Sequence, residues 1–98
     1  MKRYLAGLPQ YGIHPRRAIL YGSFARGEER QYSDIDLIVI APEFDEAPDM
    51  ETEKKLWVAT GGVDDRIEPI GCGVEEWERD TWVPILQIAR QEGIEIAA

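Results

Sequence analysis

The residues best suited to chemistry lie in the first third of the chain. It reads Tyr21-Gly22-Ser23-Phe24-Ala25-Arg26-Gly27 and then, past a polar stretch, Ser33-Asp34-Ile35-Asp36-Leu37; ten residues separate Ser23 from Asp34. In a strand, residues two apart face the same way. Asp34 and Asp36 therefore project from one face, roughly 6–7 Å apart at the backbone given a rise of about 3.3 Å per residue, while Ile35 turns to the core. Carboxylates at that spacing can share one cation or bridge two, and two metals ~3.5–4 Å apart form the usual clamp for an in-line phosphoryl displacement. Gly22 leaves room for a phosphate to approach the backbone, Ser23 offers a hydroxyl, and the amides that follow point out of a helix start, which makes an anion site. Arg26, one turn further on, can neutralise a triphosphate oxygen and is equally placed to pair with Glu28 or Glu29.

The elements that must hold these groups can be read in order. Lys2 to Tyr11 has the apolar spacing of a helix (Tyr4, Leu5, Leu8), which Pro9 should kink or end early. Arg17 to Tyr21 is a short buried strand that Gly22-Ser23 breaks, and Phe24 to Gly27 can make one helical turn. Glu28 to Ser33 is a polar loop. Asp34 to Ile40 is the strongest strand, rich in β-branched residues. Beyond its first three positions it is continuously apolar, so it should be buried on both faces. A chain of 98 residues can hardly cover two faces of a sheet alone, which points to a partner or a second copy. Pro42 to Pro48 is an acidic loop, and Asp49 to Thr60 a helix with Asp49 as N-cap and Gly61-Gly62 as its end. Asp65 to Gly71 is a strand whose Pro69 restricts it to an edge or to one-sided pairing. Val74 to Asp80 is a turn of helix, Pro84 to Glu92 a last helix closed by Gly93, and Ile94 to Ala97 a short final strand. The fold class is α/β: a small mixed sheet with helices packed on it, in one domain over residues 1–98.

Composition excludes several classes. The formal net charge is −8, which repels a phosphate backbone, so a long DNA or RNA substrate is not expected. Cys72 is the only cysteine and His14 the only histidine. Thiolate metal cages, zinc catalysis and Ser-His-Asp or Cys-His triads therefore lack raw material, and a lone cysteine fits a reducing cytoplasm. No apolar run approaches the ~20 residues of a membrane span, and the start of the chain lacks the apolar region of a signal peptide. What remains for metal work is oxygen, the ligand set of magnesium or manganese.

Gly22-Ser23, ten residues, then Asp34-Ile35-Asp36, with Ala25-Arg26-Gly27 and Ser33, resembles the signature of the polymerase-β-like nucleotidyltransferase superfamily, most closely its minimal free-standing prokaryotic members. The resemblance implies a third carboxylate on a later strand: Glu68, in Arg66-Ile67-Glu68-Pro69-Ile70, with Asp64 and Asp65 as rivals. It implies that Asp34, Asp36 and Glu68 hold one or two Mg2+ (or Mn2+) ions on a nucleoside triphosphate, by expectation ATP. The Gly22 amide and Ser23 would anchor the β and γ phosphates. Glu68 or a metal-bound hydroxyl would take the proton of an acceptor hydroxyl as pyrophosphate leaves. Small relatives pair with a helical HEPN-domain partner as a toxin–antitoxin couple, and some AMPylate that partner on tyrosine; a non-catalytic antitoxin that acts by binding is the alternative.

The remaining singular residues are expected in structural roles. Arg66 should share a face with Glu68 and make an ion pair, Trp57, Trp77 and Trp82 should serve the core or an interface, and His14 should be exposed in a turn. Cys72 should be a packed side chain, and the acids from Glu43 to Glu53 a solvated face away from the phosphate site.

Overall fold

The apolar run ending at Ile40 becomes an inner strand of a sheet. The structure, a computed structural model, describes residues 1–27, 34–45, 50–64, 66–79 and 83–97, with the backbone alone at 23–24. The elements are α1 (Lys2–Gly7) with a 3-10 turn (Leu8–Tyr11), β1 (Arg17–Tyr21), α2 (Ser23–Arg26), β2 (Ile35–Ile40), a 3-10 turn (Pro42–Phe44), α3 (Met50–Val58), β3 (Ile67–Cys72), α4 (Val74–Arg79), α5 (Pro84–Glu92) and β4 (Ile94–Ala97). Among the described residues four strands form one sheet in the order β3-β2-β1-β4. The β1 strand runs antiparallel to β2 and β4, whereas β2 and β3 are parallel. A parallel pair needs a long crossover, and α3 lies within it. This is the mixed sheet with helices expected from the sequence.

Proline punctuates the chain as its chemistry requires. Pro9 ends α1 as a regular helix and enters the first turn of the 3-10 segment, because a proline inside the helix would lose a backbone donor and clash with the preceding turn. Pro69, with no N–H to give, lies on the edge strand β3.

Alternation along the strands builds two cores. Ile35, Leu37 and Val39 of β2 face one side with Ala18 and Ile67, under Tyr4, Leu5 and Leu8 from the N-terminal helix and turn and Leu56 of α3. Ile38 and Ile40 face the other side with Ile19, Tyr21 and Cys72, under Leu86 and Ala89 of α5. The Tyr4 hydroxyl donates to the Leu56 carbonyl at 2.8 Å and ties α1 to α3.

Leu37 to Ile40 are completely buried within this one chain. That corrects the expectation that a partner or second copy is needed to cover β2: two short helical layers suffice because the inner strand is only six residues long. Apolar surface is left instead on α3, where Leu56 alone is buried and Met50, Trp57 and Val58 are 87%, 50% and 55% exposed.

The acidic stretch is not simply a solvated face. Asp45 accepts hydrogen bonds from the Glu75 and Glu76 amides at 3.1 and 3.4 Å, capping α4 from thirty positions away. Glu53 is partly buried and accepts from the Gly71 amide at 3.2 Å. Asp45 and Glu51 are exposed as expected, and half-buried Glu43 pairs with exposed His14 at 3.0 Å. Cys72 is packed as anticipated, and burial pushes its thiol up to about 12, so it is inert at neutral pH. Trp77 stacks on Arg90, 4.4 Å from guanidinium carbon to ring centre. The expected loop at Glu28–Ser33, the N-cap Asp49, and Asp65 and Trp82 lie outside the described residues. No helix among the described residues is long and apolar enough to cross a membrane.

Candidate active site

At one end of the sheet the α5-side face stops being apolar. Along β2 that face runs Ile40, Ile38 and then Asp36; along β3 it runs Cys72, Ile70 and then Glu68. Tyr21 opposes Asp36 on β1, and Asp36 opposes Glu68 on β3. Neighbouring strands lie about 4.8 Å apart, so Tyr21, Asp36 and Glu68 form a row across three strands. Asp34 stands one residue before β2, exposed, beyond the end of the row.

The backbone at the end of β1 fits tightly against this row. Gly22 has φ +75°, and a Cβ there would collide with the Asp36 carboxylate. The Arg26 amide donates to the Gly22 carbonyl at 3.1 Å, which closes α2 as a single turn. Any side chain at Gly22 would fill the space between this turn and Asp36.

Electrostatics set the acids against one another. The Asp36 carboxyl lies above its usual range, first through partial burial and then through the charge of Asp34; Arg26 works in the opposite direction. Glu68 is likewise raised, by desolvation, by the charges of Asp34 and Asp36, and by a hydrogen bond shared with Asp34. Tyr21 is pushed up to about 12 by burial and then by Asp36 and Glu68, so it stays a neutral phenol. Carboxylates that raise one another in this way gain from a cation between them.

A cleft of 390 Å³ opens over Tyr21, Asp34 and Asp36; Glu68, beside Asp36 on the next strand, does not line it. One wall is Tyr21, Gly22, Arg26, Asp34 and Asp36; the other is Ile85, Ile88 and Glu92 of α5. The volume is within the usual range for a small-molecule site, about 300–1,000 Å³. Arg26 reaches across it to Glu92 at 2.9 Å, a partner 66 positions away that local spacing could not reveal. Among the described residues, no three His, Cys, Asp or Glu side chains are already closed around a point as a cation cage. The donors that the strands do bring together are all oxygens, the set that suits a hard divalent cation.

The rival carboxylate Asp64 is engaged elsewhere. It accepts from the Arg66 backbone amide at 2.9 Å and from its guanidinium at 3.1 and 2.8 Å. The ion pair expected of Arg66 thus goes to Asp64 and not toward Glu68, because Arg66 precedes β3 in the turn. These hydrogen bonds hold the Asp64 carboxyl down at about 2. A carboxyl lowered on folding stabilises the fold above its unfolded value and loses that contribution as pH falls through the folded one. Carbon-detected NMR titration should therefore find the Asp64 midpoint near 2, returning to the ordinary aspartate range in Arg66→Gln. An unchanged midpoint in that variant would rule out the pairing.

Sequence reasoning did not pick out Tyr21, Ile85, Ile88 or Glu92 as cleft residues. Tyr21 could have been found, since it directly precedes Gly22 on the strand facing Asp36. The α5 residues carry no local signal, and only the packing of that helix brings them to the acids.

A family model for the nucleotidyltransferase domain matches residues 2–94. The chain belongs to this family. No curated protein matches it in a sequence search. Nucleotidyltransferase domains move a nucleotidyl group from a nucleoside triphosphate and generally work with a divalent metal. The oxygen-only, mutually destabilised carboxylates of this nucleotidyltransferase domain fit such an ion.

Proposed function

We propose that this chain is a single-domain, cytoplasmic nucleotidyltransferase that transfers AMP from ATP, with Mg2+, to a hydroxyl acceptor, a tyrosine of a helical HEPN-type partner. The observation that carries the reading is the alignment of Asp36 with Glu68 across parallel strands, with Asp34 close enough to raise Glu68 and the tight Gly22 bend beside them.

Asp34, Asp36 and Glu68 hold the cation. When bound, it neutralises charge on the transferring phosphoryl group and the leaving pyrophosphate. The Gly22 amide and the Ser23 hydroxyl hold the β and γ phosphates, and Arg26 adds a positive charge at the cleft edge. The acceptor oxygen attacks the α-phosphorus, the bond to the β-phosphate oxygen breaks, and pyrophosphate leaves with that oxygen. Glu68 takes the acceptor proton. Because Asp36 and Glu68 must be ionised to hold the cation, and both carboxyls are raised from their ordinary values, Mg2+ affinity should climb with pH through a window shifted upward from that of free carboxylates. Calorimetric titration at several pH values checks this, and a flat profile would remove these acids as the ligands.

The deciding experiment mixes the chain, ATP labelled at the α-phosphate, Mg2+ and the candidate partner. Label should move to the partner, stop on chelation by EDTA, and not move when the partner's tyrosine is phenylalanine. Label that stays on ATP under every condition defeats the proposal. The binding-only reading is favoured by the apolar surface that Met50, Trp57 and Val58 expose on α3. It predicts that Asp34→Asn/Asp36→Asn neutralises a toxic partner as well as the unaltered chain does.

A further inference from the structure

The helix α5 carries more apolar residues than its core contact needs. Leu86 and Ala89 are buried beneath it. Ile85 and Ile88 are not: they are 37% and 45% exposed, and with Glu92 they form the second wall of the cleft. Positions 85, 88 and 92 follow the three-then-four spacing of one helical stripe, so a single face of α5 looks across at Gly22, Asp34 and Asp36.

The stripe has a polar end and an apolar end. Glu92 holds Arg26 at 2.9 Å, which fixes a guanidinium, paired on one side, at the polar end of the cleft beside the Gly22 turn. From there Ile88 lies about 6 Å and Ile85 about 10 Å along the helix axis, at 1.5 Å per residue. A nucleoside triphosphate has the same polarity: an anionic chain at one end and a flat, largely apolar ring at the other. Neither Trp57 nor Trp77 lines the cleft; among the described residues Ile85 and Ile88 are the apolar side chains on the wall opposite the acids, and Tyr21 is on the acids' own wall.

We infer that Ile85 and Ile88 form the nucleobase wall of this site and Glu92 positions Arg26 for the phosphates. The inference rests on the nucleotide reading proposed above and adds residues to it. Desolvated apolar contact supplies the affinity for the ring. The Glu92 carboxylate keeps the guanidinium at the cleft mouth before the ligand arrives and offsets part of the cost of ordering it.

The test separates the ring from the phosphates. Binding of ATP and of inorganic tripolyphosphate, each with Mg2+, is measured by calorimetry on the unaltered chain and on Ile85→Ser/Ile88→Ser, with circular dichroism to confirm folding. The unaltered chain should bind ATP more tightly than tripolyphosphate. The double variant should lose about tenfold in ATP affinity, from two partly buried apolar contacts, and keep its tripolyphosphate affinity. If ATP binds the variant as before, the wall is elsewhere, while the site reading stands provided Asp36→Asn weakens both ligands. If the unaltered chain binds neither ligand, the nucleotide reading falls and takes the wall with it. For Glu92→Gln, tripolyphosphate affinity should fall and the ratio of ATP to tripolyphosphate affinity should hold; a changed ratio with unchanged tripolyphosphate binding would contradict the positioning role.

Discussion

Asp36→Asn should abolish nucleotidyl transfer while leaving the fold intact and no less stable to heat. Asp36 is the acid with the most neighbours at stake: it opposes Tyr21 on one strand and Glu68 on the other, and its carboxylate lies against Gly22. Removing one charged ligand from a phosphoryl-transfer site forfeits several kcal/mol of transition-state stabilisation, so transfer should fall by at least about a thousandfold. The stability sign is opposite. The Asp36 carboxyl is raised in the fold, by burial first and the charge of Asp34 second, against the opposing pull of Arg26. A raised acid destabilises the native state once pH exceeds its unfolded value, and that penalty is complete above the folded one. Asparagine is nearly isosteric and removes the penalty, so thermal unfolding at neutral pH should occur at the same temperature or higher. Asp45→Asn is the informative contrast. It leaves the cleft untouched and weakens the cap on the Glu75 and Glu76 amides, so it should lower stability and spare transfer. Full transfer by Asp36→Asn, or its loss only through unfolding, would remove this residue from the reaction.

How far the sequence carried the reading differs between backbone and site. A short apolar run, helical spacing and alternation located β1, α5 and β4 to the residue, since Arg17–Tyr21, Pro84–Glu92 and Ile94–Ala97 are each marked at one end or both by glycine or proline. The edge position of β3 followed from Pro69, a constraint that acts through one missing donor. Legibility failed where a property depends on what the chain folds against. Burial of β2 on both faces was correctly expected, but not that α1, α3, α4 and α5 cover it unaided. Arg66 was expected to pair, yet the choice of Asp64 depends on how the turn before β3 lies. Asp45 is exposed as expected, but its capping of α4 and the partial burial of Glu53 were illegible because their partners, the Glu75 and Gly71 amides, are 30 and 18 positions away. Strand periodicity and one short motif put Asp34 and Asp36 together in the sequence, whereas Glu68 came only from the family resemblance, and its register opposite Asp36 needed the fold. The opposite wall was not, because nothing local marks Ile85, Ile88 or Glu92 as facing a cleft.

Gly22→Ala should be more damaging than its size suggests, and Gly27→Ala separates the reasons. Both glycines have left-handed backbone, φ +75° and +71°, which costs any other L-residue roughly 1–2 kcal/mol. A methyl at Gly27 would meet nothing among the described residues within 4 Å, whereas at Gly22 it would run into the Asp36 carboxylate. Forcing a group into filled space adds about 1–3 kcal/mol, so Gly22→Ala should cost roughly 2–5 kcal/mol in all. For a domain of this size each kcal/mol lowers the unfolding temperature by roughly 4–8 °C. Gly27→Ala should lose only the backbone share and retain transfer. In Gly22→Ala the carboxylate must swing away or the turn must open, and either movement misplaces Asp36 relative to Glu68, so transfer should fall even at a temperature where the variant is fully folded. Pairing Gly22→Ala with Asp36→Gly, which clears the obstructing carboxylate, should restore part of the lost stability and none of the transfer. If the double variant is no more stable than Gly22→Ala alone, the close approach of this bend to Asp36 is not what requires glycine there.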